Sequence, residues 1–257
     1  MSEILRFENI SLNTEKKNLF NFSLVIKQGD FFLVNGKNAV GKSLLLKLLF
    51  LKILPSNGNI YLYEKKIDKN DKIKILEYRK KMGVILQNDY LIPFFSVYQN
   101  IEIASEIQSK KENFTKRIDE IIDWLDLKQI KNELVNKLSN GEKQRVVIAR
   151  AIVVKPQIIV ADEPVSMLDV SIRAEILELM KEIQNKNEIS MIYITHDLAT
   201  AKHFADNIVI LNSGKVMETG PIDKVLLNPE NSYTKALIAA ISEPDPENLY
   251  KMKEISL

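Results

Sequence analysis

Two kinds of hydrophobic pattern alternate along the chain. "DFFLVNG" (30–36), "KMGVILQ" (81–87), "PQIIVADEP" (156–164) and "SMIYITHD" (190–197) are short runs, apolar on both sides and closed by polar turns. Helix-period segments separate them, the first over 43–54. Strands buried on both faces and alternating with helices predict an α/β fold around a mostly parallel sheet. Ahead of them, "LRFENISLN" and "FSLVIKQG" alternate apolar with polar residues, as half-exposed antiparallel strands do. "NGNIYLYEKKI" (57–67) predicts another edge strand, entered through an Asn57-Gly58 turn.

Residues 98–136 break this rhythm, being charged, helical in period and free of Gly and Pro. They predict a helical insertion, part of a helical subdomain of about 88–150 within a single domain spanning 1–257. A C-terminal extension of about 221–257 carries the helix-like "SYTKALIAAI" between proline-bearing loops. There is no internal repeat and no low-complexity tract.

Composition changes this picture little. The chain is 46% hydrophobic and 27% charged, close to an ordinary globular domain. Its 36 basic and 34 acidic residues leave +2, which by itself demands neither nucleic acid nor an anionic membrane as partner. With no cysteine, disulfides, thiolate zinc sites and cysteine-held iron–sulfur clusters are excluded. The start of the chain lacks a signal-peptide pattern, and "SLLLKLLFLKILP" (43–55) is interrupted by Lys47 and Lys52 and too short to span a bilayer. The expectation is a soluble protein, held at any membrane by a partner.

Candidate chemistry begins at "GKNAVGKS", which fits G-x-x-x-x-G-K-[ST] between a predicted strand and a predicted helix. Gly36, Lys37, Asn38, Ala39, Val40 and Gly41 would curl backbone N–H groups around phosphate oxygens. Lys42 would neutralise the β- and γ-phosphates, Ser43 would ligate Mg²⁺, and the helix running on through Leu44 points its positive end at the anion. A phosphate loop needs an acid for the metal, and "IIVADE" ends a buried strand with Asp162 and Glu163. Asp162 would organise the ion and Glu163 would polarise the attacking water; in isolation, the pair would merely open a turn before Pro164. About 23 residues earlier, "SNGEKQ" sets Ser139, Gly141 and Glu142 at the start of a helix. Ser139 is a good N-cap, but a cap explains the serine without explaining the glycine. A second phosphate-facing helix terminus explains both.

With these motifs the chain resembles the ATP-binding cassette (ABC) family of P-loop NTPases over essentially its whole length. "LSNGE" looks like that family's signature, Gln87 stands where the Q-loop belongs, "SMLD" (166–169) looks like the D-loop, and His196 in "YITHD" looks like the switch histidine. The resemblance implies an ATPase binding ATP and Mg²⁺, working as a head-to-tail dimer with a second cassette, which is either the same chain or another. Ser139, Gly141 and Glu142 would then approach the γ-phosphate held by the opposite subunit, and Asp169 would cross the interface. Gln87 would touch Mg²⁺ and the attacking water, while His196 would stabilise the transferring phosphoryl group. His203 is assigned no role.

Lys42 and Ser139 lie 97 positions apart, which suits a transporter cassette and leaves no room for the long coiled coils of chromosome-maintenance relatives. "EPVSMLDVSIRAEILELMKEIQ" and the tail "NPENSYTKALIAAISEPDP" resemble ATPases of oligopeptide, dipeptide and nickel importers. "LQNDYLIPFFSVYQNI" instead looks like a generic importer or lipoprotein-release cassette. The implied partners are membrane permease subunits and, indirectly, an extracytoplasmic solute-binding protein; nucleic acid is not among them. The implied location is the cytoplasmic face of the membrane. The alternative is a weakly catalytic or non-catalytic cassette in a heterodimer. Three departures bear on that choice. Ala39 and Asn140 replace family glycines, Asn140 being the non-glycine residue best suited to left-handed backbone. The adenine-stacking aromatic expected near Asn13 is absent, and Phe20 would substitute only if the "NTEKKN" turn brings it there; otherwise the stacking is missing. The expectation is weak ATP affinity with little base discrimination.

Overall fold

The computed structural model describes residues 2–13, 18–36, 42–68, 70–106, 114–198, 202 and 204–242. In chain order its elements are β1 (Glu3–Asn13), β2 (Asn18–Lys27), β3 (Phe31–Gly36), α1 (Lys42–Leu49), β4 (Asn57–Leu62), β5 (Lys65–Lys66), α2 (Lys72–Lys80) and β6 (Met82–Ile85). Then come α3 (Val97–Glu106), α4 (Thr115–Trp124), 3-10 turns at Lys128–Ile130 and Val135–Lys137, α5 (Asn140–Val153), β7 (Ile158–Asp162), α6 (Val170–Asn187), β8 (Ser190–Thr195), β9 (Asn207–Asn212), β10 (Lys215–Pro221), α7 (Ile222–Leu227) and α8 (Ser232–Ser242). The chain divides into two compact units, Met1–Ile75 with Ile192–Leu257, and Leu76–Met191.

In the first unit the strands are ordered β5-β4-β1-β2-β10-β9-β3-β8. The alternating segments pair antiparallel as their pattern requires. Phe7 sits across from Leu24 on β2 and Ile60 on β4, and Leu5, Phe7 and Ile10 all turn inward. β3 and β9 run parallel and are almost wholly buried, which is why both read as unbroken apolar runs.

Two local expectations fail here, each for a steric reason. Asn57-Gly58 is not a turn: both residues lie in β4. Gly58 has φ +93°, and a Cβ there would stand 2.5 Å from the carbonyl oxygens of Glu8 and Asn9, beside a register shift in β1. The glycine marks close backbone approach at a bulge. The reversal comes later, at Tyr63 and Glu64, both with positive φ, so that 57–67 forms a hairpin rather than one strand. The helix predicted over 43–54 ends at Leu49, and Leu51 (φ 50°) turns the chain away.

In the second unit β6 and β7 pair in parallel, Met82 opposite Ile158 through Ile85 opposite Ala161. The insertion is helical in α3 and α4, after which Asp126 (φ 55°) breaks the period and 3-10 turns follow. α5 is the spine of this unit. Val146, Val147, Ile148, Ala149, Ile152 and Val153 are buried along it, and side chains satisfy its terminal backbone groups. At its C-terminal end the Arg117 guanidinium donates to the carbonyls of Ile152 (2.8 Å) and Val153 (2.9 Å). Arg150, on the same helix, donates to the carbonyls of Asp89 (2.6 Å) and Tyr90 (2.8 Å), just beyond Gln87.

Candidate active site

The predicted site residues fall into both units. In the first, β3 ends at Gly36; Lys37–Gly41, including Ala39, lie outside the described residues. Asn35, directly ahead of this loop, is buried, and among the described residues its amide nitrogen has no hydrogen-bond partner. α1 then opens with Lys42, 8% exposed, followed by exposed Ser43 and buried Leu44. Its first turn contains no acid. Left to itself, a cation at the positive end of a helix is unfavourable, and an anion there reverses the sign. An orphaned donor at the base of the loop, a lysine at the helix start and an accessible hydroxyl beside it fit a polyphosphate with a hard cation. Leu44 packs into the core, so only its backbone N–H is open to such a ligand.

His196 follows β8 and is exposed. The next backbone N–H, that of Asp197, donates to Thr195 Oγ1 (3.0 Å), a turn that sets the imidazole beyond the strand end. Asn13 ends β1 and Phe20 lies within β2; the turn between them (14–17) and His203 lie outside the described residues.

In the second unit β7 delivers Asp162, half-buried, and then Glu163, buried at 8% exposure with φ 50°. Left-handed backbone at a non-glycine residue costs on the order of 1 kcal/mol. The turn that holds it is visible: the Glu163 carbonyl accepts from the Ser166 N–H (3.2 Å) and hydroxyl (2.9 Å). Arg173 extends the brace, donating to the carbonyls of Leu168 (2.8 Å) and Ser166 (3.4 Å). Asp169 then starts α6 as an exposed N-cap whose side chain makes no capping bond, between exposed Met167 and Val170. Neither Arg150 nor Arg173 was legible as a site-supporting residue, since an arginine on a helix gives no spacing signal.

At the start of α5, Ser139 and Glu142 form a reciprocal capping box. The Glu142 carboxylate accepts from the Ser139 N–H (2.8 Å) and hydroxyl (2.6 Å), and its own N–H reaches Ser139 Oγ (3.3 Å). These bonds from Ser139 hold the Glu142 carboxyl below the ordinary glutamate range. Asn140 is the first helical residue and does not have positive φ, so no left-handed backbone is asked of it. The glycine has a packing reason as well, because a Cβ at Gly141 would lie 3.2 Å from Ile172 Cγ2 on α6. Gln87, exposed after β6, shares a cavity of about 320 Å³ with Asn140 and Lys143 of α5. A cavity of about 400 Å³ beside Gly83, Val84 and Arg150 contains none of the predicted site residues.

The ABC transporter family model matches residues 19–166. The chain is 33% identical over 235 residues to the methionine import ATP-binding protein MetN of Francisella tularensis subsp. holarctica, covering 91% of this chain and 67% of that one. It is also 33% identical over 235 residues to the oligopeptide transport ATP-binding protein OppF of Bacillus subtilis, covering 88% and 77%. Among solved structures, cbiO1 of Clostridium perfringens, part of the transporter complex cbiONQ, aligns over 98% of this chain and 100% of its own with TM-score 0.81 and 28% identity. The cassette MJ0796, solved as a dimer in a post-hydrolysis state with ADP and phosphate, aligns over 85% and 99% with TM-score 0.73 and 27% identity.

Proposed function

The chain belongs to the ABC transporter family, an ATPase family, and from that premise we propose that it energises import of a small, peptide-like solute through a membrane permease. The observation that carries the catalytic part is the left-handed, buried Glu163 directly after Asp162. Strain of that kind persists where the surroundings impose it, here through Ser166 and Arg173.

Lys42 and the amides of the loop would grip the triphosphate, and the positive end of α1 makes the potential there more positive, which favours the anion. Ser43 and Asp162 would hold Mg²⁺ with Gln87, and the ion supplies charge neutralisation of the phosphates. Glu163 accepts a hydrogen bond from the attacking water and takes its proton as the bond to the γ-phosphorus forms, while the bond from that phosphorus to the β,γ-bridging oxygen breaks and ADP leaves. His196 donates to the transferring group. Ser139, Gly141 and Asp169 complete a site on a second cassette, a reading supported by the exposed Met167 and Val170 flanking Asp169 and by the dimeric relative. The likeness to OppF supports a peptide-like cargo, reached through a permease and a solute-binding protein. Among the described residues no helix is long and apolar enough to cross a membrane, and we place the chain peripherally on the cytoplasmic face.

The test is ATP hydrolysis at several protein concentrations beside Glu163→Gln. Activity rising faster than linearly, and reduced by ~1,000-fold in the variant, is expected. Equal activity in both would remove Glu163 from the mechanism.

A further inference from the structure

We propose that the outer face of α2, with the lysines of β5 just before it, binds an anionic lipid surface directly. The near-neutral charge of the whole chain hides a local excess. From Glu64 to Lys81 there are eight basic residues against four acidic ones, so this stretch is +4 while the rest of the chain is −2. Of these cations, Lys65, Lys66 and Lys72 are exposed. Lys74 pairs with Asp71 at 3.1 Å and is not assigned to the lipid surface.

α2 also has one apolar pair too many. Ile75 and Tyr78 turn inward and are buried, which satisfies the packing needs of a nine-residue helix. Ile73 (75% exposed) and Leu76 (54% exposed) lie on the opposite side, one turn apart, with Lys80 next on that face. Single exposed hydrophobics are ordinary, but this pair has exposed Lys72 and Arg79 beside it, with Glu77 on its other side. Two branched aliphatics between cations suit a helix lying in a headgroup layer, with aliphatic tips directed at the acyl boundary and ammonium groups at phosphates. Nucleic acid would meet the lysines and leave the aliphatic pair in water. A protein groove would require a cleft partner of defined shape, whereas lipid needs only the charge and the apolar tips.

This rests on the peripheral placement proposed above, but it is measured without permease or nucleotide. The full chain would be sedimented with phosphatidylglycerol-containing vesicles and with pure phosphatidylcholine vesicles, at low and high salt. Salt-sensitive binding to the anionic vesicles alone is expected. Lys66→Gln with Lys72→Gln should weaken it roughly 30-fold, and Ile73→Ser with Leu76→Ser about tenfold. ATP hydrolysis should be unchanged in both variants. No binding, equal binding to both vesicle types, or undiminished binding by both variants would each overturn the proposal. So would association with a permease in neutral bilayers that depends on this face while anionic vesicles bind nothing. A chain that binds anionic vesicles but hydrolyses no ATP would leave this inference standing and remove the catalytic reading instead.

Discussion

Two helix N-termini in this chain look alike as sequence and differ as physics. α1 opens on Lys42 with no acid in its first turn. α5 opens on Ser139 with Glu142 in its first turn and the reciprocal box closed. The first puts a largely buried cation at the positive end of a dipole, where an anionic ligand would favour that charge. The second already contains its anion. A ligand approaching α5 meets a terminus whose serine hydroxyl is committed to a carboxylate 2.6 Å away. In the reading proposed above, α1 offers its charge to an anionic ligand, whereas α5 carries its own carboxylate.

That asymmetry can be attacked from several sides. The largest effect should come from Lys42→Ala, expected to lower ATP hydrolysis ~1,000-fold together with nucleotide binding. A Lys42→Ala chain that still binds ATP normally, measured by calorimetry, would erase the distinction. Gly141→Ala should cost activity about tenfold. Its new methyl would press on Ile172 Cγ2, so the same substitution with Ile172→Ala, which removes that methyl, separates packing from ligand approach. Rescue by the second change would assign the glycine to packing, whereas an unrescued loss, the expected result, keeps it at the ligand. Ser139→Ala should destabilise the fold by ~1 kcal/mol in denaturant titration and leave ATP binding by the isolated chain intact. The smallest effect is the pH dependence of the cap. The Glu142 carboxyl is held low in the folded state, so its contribution is present above the ordinary glutamate range and fades as pH falls through the folded value. Melting curves of the chain and of Glu142→Gln should therefore differ at neutral pH and converge in acid; a constant gap would show that the box works without the charge.

Legibility followed the range of each interaction. Runs buried on both faces announced β3, β7 and β8 in place, because burial acts residue by residue. Gly58 misled because a glycine serves a turn and a close approach equally well, and only the neighbouring β1 carbonyls decide between them. The end of α1 was hidden because Leu51 turns left-handed with no glycine or proline to signal it. At the site, Lys42, Ser139 and the Asp162-Glu163 pair were readable from spacing. The left-handed backbone of Glu163 and the arginine braces at positions 150 and 173 were not, since they depend on carbonyls brought near by the fold. Net charge was the least informative quantity, because an average over the whole chain cancels the contrast between Glu64–Lys81 and the rest.

α5 also has mechanical meaning. Its fourteen residues make a rod about 21 Å long that hardly compresses, because every turn is cross-braced by its own hydrogen bonds. One end holds the Ser139 cap, and three turns along, Arg150 grips the backbone just past Gln87. The helix itself has no break between these ends, so an axial displacement at the cap would reach Asp89 and Tyr90 through Arg150, with the stiffness of the helix setting how much of it arrives.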